Sequence, residues 1–360
     1  MPISAYSPND SRSKLADWVE ISAMTTVNGR QTKSQFLRAS SILDESAFDD
    51  DDEDLGDDEN DERDGAGSRY ILDDRSQNLS DRVLDELEYR LHTLGANYPF
   101  SIEGAGVNWI VKYTPAATGP AKFAHYSYVS CLLVSVIKYK YLLLHHLKKE
   151  YAEIADHFQL LAYLVAPEVL GGDAYWIGWP RPDNSGKLAD ALQKVVDRTD
   201  LGTLRSTPPE WDSAWAKDGT VDIVAWRKFA GRAPGALILY GQVASGMNWR
   251  EKPLRTYFDP YYTGWFEVTP SRQYLQSMFI PYPLHEDCKP NKGQSFEKLA
   301  HSNAVRDERT FGLIIDRLRL TDLSAKSYVR LRSAPALDSY IPDRLVALFR
   351  WRSFAESLAG

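Results

Sequence analysis

Asp222 and Gln242 are two oxygen-bearing side chains whose spacing suits a divalent cation. The stretch 217–249 reads KDGTVDIVAWRKFAGRAPGALILYGQVASGMNW. Two apolar runs, 221–229 and 236–243, flank a Pro/Gly turn at 232–235, the pattern of a β-hairpin. Asp222 opens the first predicted strand and Gln242 closes the second, so an antiparallel pairing brings both to one end. With side chains alternating, both can face one site. A hard cation such as Mg2+ or Mn2+ takes a carboxylate, an amide carbonyl, backbone carbonyls and water. Such an ion activates water and offsets charge on a phosphate under attack. Each residue also has a plain structural role: an Asp after Gly makes local turn bonds, and a Gln ending a strand satisfies backbone groups.

The string Asp218-Gly219-Thr220-Val221-Asp222, a hairpin, then Gln242 resembles the DGGxD…QxK core of Mrr-like restriction endonucleases of the PD-(D/E)xK superfamily. The longer phrase DIVAW…PG.LIL.GQ.ASG.NW resembles uncharacterised bacterial proteins of the restriction-endonuclease-like kind. Further similar strings are LADWVE, NYPF, MFIPYPL and FGLIIDRLRL. The resemblance implies a mixed sheet flanked by helices and metal-dependent cleavage of DNA, often in defence against phage. Two positions depart from it. Ala244 stands where the family has its catalytic lysine, and Gln159, in His157-Phe158-Gln159, stands where a helix glutamate is common. The lysine normally orients the attacking water and stabilises developing charge. Lys252 is the first candidate to replace it, with Lys228 and Arg250 behind. Glu210 or Asp218 could supply a second acid.

The elements that must position these residues follow from periodicity. Residues 15–36 read as a helix, and 78–95 as an amphipathic helix with Leu84, Leu87, Leu91 and Leu94 on one stripe, Ser80 as cap and Gly95 as stop. The segment 98–113 alternates around Gly104 and Gly106 and reads as a strand pair. The most apolar stretch, 122–151, is broken by Lys138 and Lys140, so it predicts a buried core helix rather than a membrane span. The adjacent His145 and His146 diverge by about 100° on a helix and cannot chelate one metal as an i, i+4 pair would. A helix over 153–170 ends at Pro167 and Gly171-Gly172, and 188–196 is a shorter one. Residues 311–320 read as a third strand, with Asp316 and Arg317 as an ion pair or, with Arg319 and Arg250, as a rim for phosphate. The basic stretch 343–352 (DRLVALFRWR) fits an amphipathic helix that docks on the body, grips a nucleic-acid backbone or meets a partner.

Composition narrows the classes. The 360 residues are 43% hydrophobic, enough for a core. The net charge of −8 comes from 44–64, which holds fourteen Asp/Glu against Arg63 alone, so the remainder is mildly basic. That run predicts a disordered insert, a solubilising loop or a mimic of nucleic-acid charge. Cys131 and Cys288 cannot build a disulfide framework or a multi-cysteine zinc site. MPISAYSPNDSRSK lacks an apolar leader core, so a cytoplasmic location is expected. No GxxxxGK[ST], GxSxG or HExxH occurs.

The expected protein is therefore α/β (α+β). A helical N-terminal region over 1–117 precedes a restriction-endonuclease-like core over 118–325 and a basic helical segment over 326–360. The expected activity is a Mg2+-dependent (or Mn2+-dependent) endonuclease on DNA, or on RNA. Asp222 and Gln242 would be metal ligands, Lys252 the lysine substitute, and Arg250, Arg317 and Arg319 the nucleic-acid contacts. The alternative is a degenerate nuclease fold that binds nucleic acid or a partner protein of a defence complex.

Overall fold

A computed structural model describes residues 3–39, 64–104, 106, 108–142, 148–179, 181, 185–207, 209–210, 220–231, 235–254 and 262–333, with side chains from 75 and 157 in the helices that begin at 64 and 148. The acidic run up to 63, His145 and His146, Asp218 and the basic segment 343–352 lie outside these residues.

The fold is mixed α/β. The elements in chain order are α1 (Arg12–Thr25), β1 (Arg30–Thr32), α2 (Asp64–Leu94), β2 (Phe100–Glu103), β3 (Ile110–Tyr113), α3 (Gly119–Lys138), α4 (Lys148–Leu170), β4 (Asp173–Trp176), α5 (Leu188–Thr199), β5 (Thr203–Leu204), β6 (Ile223–Lys228), β7 (Ala236–Val243), β8 (Phe266–Val268), β9 (Leu275–Phe279), α6 (Phe296–Phe311), β10 (Leu313–Ile315) and α7 (Arg317–Ser333). The main sheet runs β10-β9-β7-β6-β4. Strands β4, β6 and β7 form an antiparallel meander, and β9 and β10 add in parallel. The parallel strand β10 is reached through α6, the connection a parallel pair demands. A second small sheet, β1-β3-β2, carries the strand pair expected around Gly104 and Gly106.

Alternation sorts the sheet into two faces. Ile223, Ala225, Leu239, Phe279 and Ile315 point to one face and pack with α1, α3, α4 and α7. Val224, Trp226, Ile238 and Tyr240 point to the other, against α5. Ala244, Met278 and Ile314 meet Trp249 and Phe311 on that second face, under α6. The first core takes residues from Tyr6 to Leu320, so the N-terminal elements share it with one face of the sheet.

Four elements differ from the sequence reading. The helix expected over 78–95 already begins at Asp64, so Ser80 lies inside it and accepts from Trp109 Nε1 instead of capping it. The single helix expected over 15–36 ends at Thr25, and the chain turns through Gly29 into β1. The apolar stretch 122–151 is two helices, with Lys140 in a left-handed turn between them. The predicted third strand stops at Ile315, and Arg317 already starts α7. A strand needs only a short apolar run, and LeuIleIle supplies it; the following Arg-Leu pattern suits the helix equally. In α4, Pro167 lies inside the last turn, and Gly171 at φ +68° closes the helix.

The interior holds a network of charges. Arg317 is fully buried and donates to both oxygens of Asp17, at 2.6 and 2.7 Å, and to Ser135 Oγ and Pro281 O. Arg90, also fully buried, donates to Asp17 Oδ1 at 2.7 Å, Glu86 Oε1 at 2.9 Å, and the oxygens of Ser13. Glu20 lies 3.0 Å from Arg90 and accepts from Tyr98 and Tyr128. Burial pushes the Glu20 carboxyl up, against Arg90. Burial favours the neutral form of Glu86 too, but His285 and Arg90 outweigh it and hold that carboxyl at about 2.

Two predictions follow from this network. Replacing Arg317 by Met leaves Asp17 buried beside Glu20 with less positive charge, and should cost about 3–5 kcal/mol in urea unfolding. Adding Asp17→Asn should cost far less than the sum of the two single changes, because they share one interaction; additivity would sever the pair. For Glu86, a folded value near 2 lies below the ordinary 4.5. Its stabilisation is therefore full above pH 4.5 and is lost as pH falls from there toward 2. The stability gap between wild type and Glu86→Gln should shrink over that window, and a gap that widens there would contradict the assignment.

Candidate functional site

The hairpin forms as the sequence implies. Ile223 pairs with Gly241 and Lys228 with Ala236, so Asp222 and Gln242 do lie at the same end. The side chains nevertheless diverge. Asp222 N–H donates to Gly241 O, although Ile223 is already the partner of Gly241. Two residues of the first strand thus address one of the second, a bulge, which breaks the alternation at Asp222. Thr220, at φ +71°, turns the chain into this position.

The bulge carries Asp222 toward α4. Asp222 Oδ2 accepts the Val243 N–H at 2.7 Å. Its backbone carbonyl accepts from both Ile177 and Gly178. Gly178 is bare at the point where Asp222 meets α4. A Cβ there would overlap Gln159 Nε2 and stand 2.6 Å from Asp222 Oδ1. Gln159, flanked by Phe158 and Leu160 of the first core, and Asp222 thus both come up to the bare face of this glycine, which leaves room for both. Gln159 Nε2 is buried without a hydrogen-bond partner.

Gln242 goes the other way. It alternates with Tyr240 and Ala244 and pairs with Met278, all directed to the second face. Its Oε1 is buried without a hydrogen-bond partner. Ala244, at the family's lysine position, is 3% exposed among Trp249, Met278 and Phe311, so a methyl fills a packed site there.

The remaining candidates fall elsewhere. Lys252 is exposed and its N–H bonds Trp249 O. Trp249 stacks edge-on with Phe311 at the end of α6, which sets the Lys252 segment against the second face, away from α4. Lys228 stands at the far end of the hairpin, paired with Asp200 at 2.5 Å. Glu210 is exposed before the undescribed stretch.

The expected nucleic-acid contacts are mostly engaged. Arg317 has no exposed surface and pairs with Asp17, not with Asp316 or a phosphate. Asp316 instead accepts the N–H groups of Leu284 and Arg319. Arg250 is clamped between Asp287 and Asp307, and Arg319 binds Glu308 and Ile314 O. Burial disfavours the charge on Arg250, yet the Asp307 hydrogen bond and Asp287 raise it. Cys131 is free and buried, its thiol pushed up to about 12 by burial.

The donor set does not fit Mg2+. One carboxylate with an oxygen on a backbone N–H, and an amide on the opposite face, do not make two convergent oxygen ligands. Among the described residues no group of three or more His, Cys, Asp or Glu could hold a metal ion. No helix among them is long and apolar enough to cross a membrane. What the sequence reading missed is that Gln159 and Asp222 converge on Gly178; the signal was that glycine in the Trp/Gly/Pro segment DAYWIGWP, a bare position beside a strand end.

Scans against family models, curated proteins and solved structures find no match for this chain.

Gly178→Ala should destabilise the protein by about 1–3 kcal/mol, because the added methyl overlaps two polar side chains. Adding Gln159→Ala should recover part of that loss. A neutral Gly178→Ala, measured by thermal unfolding, would mean that the amide and carboxylate do not meet there.

Proposed function

We propose that the chain is a nuclease-like protein without hydrolytic activity, which acts as a binding subunit for a protein partner. The observation that carries this reading is the divergence of Asp222 and Gln242 about the bulge. A neutral amide, Gln159, and a buried alanine, Ala244, occupy positions where the family that the chain resembles has an acid and a lysine. Hydrolysis of a phosphodiester calls for a metal clamp or a poised base beside the scissile bond. An Asp whose oxygen caps Val243 N–H is a structural hydrogen-bond acceptor in this corner.

The resemblance to the PD-(D/E)xK core is supported by element order. A helix, an antiparallel three-stranded meander and a parallel fourth strand come in sequence as α4, β4, β6, β7 and β9. Gln159, Asp222 and Gln242 all sit at one end of that unit. A protein partner is favoured over DNA because Arg250, Arg317 and Arg319 are neutralised by internal acids. Affinity for DNA rests on cations free to replace counterions on phosphate.

One observation favours the second reading, a Mg2+-dependent nuclease acting on DNA. Gln242 Oε1 is a buried acceptor with no partner, which is what an absent cation or water would satisfy.

Calorimetry with Mg2+ and Mn2+, alongside plasmid cleavage, separates the two. The binding-subunit reading expects no metal heat and no cleavage, with wild type and Asp222→Ala alike. Metal-dependent nicking that Asp222→Ala abolishes would replace it with the nuclease reading.

A further inference from the structure

An opening separate from the hairpin lies over β10, at one edge of the main sheet. A cleft of about 690 Å3 lies between the end of α2, the end of α4, α6 and α7, over β10. Its floor is apolar, from Leu94, Val169, Leu313, Ile315 and Leu323. Volume and lining are those of a site for a small organic molecule.

The polar groups set the charge of that molecule. Asp316 is 6% exposed and reaches the cleft with both oxygens already accepting backbone N–H groups, from Leu284 at 3.0 Å and Arg319 at 2.9 Å. Those bonds fix its orientation at the start of α7, and each oxygen keeps a further lone pair. Glu168 and Asp322 also line the cleft, but each already has a cation, Arg330 at 2.6 Å and Lys326 at 2.8 Å, so Asp316 is the acid that sets the charge. Arg319 is the guanidinium in the lining, and its Nη1 is spent on Glu308 and Ile314 O, both at 2.6 Å. His285 enters from the side. Its Nε2 lies 2.9 Å from both oxygens of buried Glu86, so that nitrogen is engaged there. The Tyr89 phenol on the wall is pushed up, first by burial and then by Asp316.

We infer that this cleft binds an organic cation: an ammonium or guanidinium directed at Asp316, carried on an apolar body that lies over Leu313 and Ile315. Such a group is a free amine or guanidine, or an Arg or Lys side chain of a peptide. The inference does not rest on the hairpin corner and stands or falls separately from the proposed function.

The test is calorimetric titration of the full chain at physiological salt with hexylguanidinium, hexanol and hexanesulfonate. These probes share a body and differ in charge. Hexylguanidinium should bind at least about tenfold tighter than hexanol, a difference of about 1.4 kcal/mol, and hexanesulfonate should not bind. Ala304→Trp on α6 should fill the cleft and abolish binding. Asp322→Asn, a surface change that spares the fold, should weaken it severalfold. Asp316→Asn should weaken it further, with thermal unfolding recorded to separate loss of the site from loss of the fold. The peptide IPDRLVALFRWRSF (residues 341–354), titrated alongside, separates the two sources. Tighter binding by the peptide assigns the site to a side chain, and tighter binding by hexylguanidinium to a free small molecule. Equal affinity for hexanol and hexylguanidinium, or binding untouched by Ala304→Trp, would overturn the inference.

Discussion

Asp17 is the residue on which the molecule's arrangement turns. It lies on the first helix, yet it accepts from Arg90 of α2 and from Arg317 at the start of α7. Each partner is fully buried, so each charge needs the others. An ion pair of this kind is weak evidence of net stabilisation over an apolar filling. What it does impose is direction. A bidentate guanidinium accepts a carboxylate in few orientations, so Arg317 fixes how α7 leaves β10, and Arg90 fixes how α2 crosses α1. Ser135 and Pro281 O complete the shell of Arg317 and bring α3 and the segment after β9 into the same joint.

That joint explains why the N-terminal third belongs to the body. The resemblance to a nuclease core invites a cut near residue 117, and helices outside a core motif look dispensable on paper. Here α1 contributes Leu15, Ala16, Val19 and Ile21 to the same core as Ile223 and Leu239 of the sheet. A large continuous apolar core with polar pins at its centre has no plane along which it divides easily.

Much of this was legible in the chain and some of it was not. The hairpin could be read because β-branched runs and a Pro/Gly turn are local signals, and its register followed from them. The amphipathic end of α2, with Leu84 and Leu87 inward, was legible for the same reason. The divergence of Asp222 and Gln242 was not, because a bulge depends on a backbone bond to Gly241 that no residue type announces. Arg317 looked like a surface cation because Asp17, which makes it an interior one, is far away in the chain. The cleft over β10 escaped notice altogether: its walls come from four helices, and its acids, Glu168, Asp316 and Asp322, share no motif.

The distance between Asp17 and Arg317 is 300 positions. During synthesis at roughly 5–20 residues per second, α1 leaves the ribosome on the order of 15–60 s before its guanidinium partner exists. In that interval the Asp17 carboxylate has Arg90 but not Arg317, and α1 can pack on α2, α3 and β3 but not yet on the main sheet. The N-terminal elements therefore have neighbours early, while the joint at Asp17 closes only after Arg317 has been made.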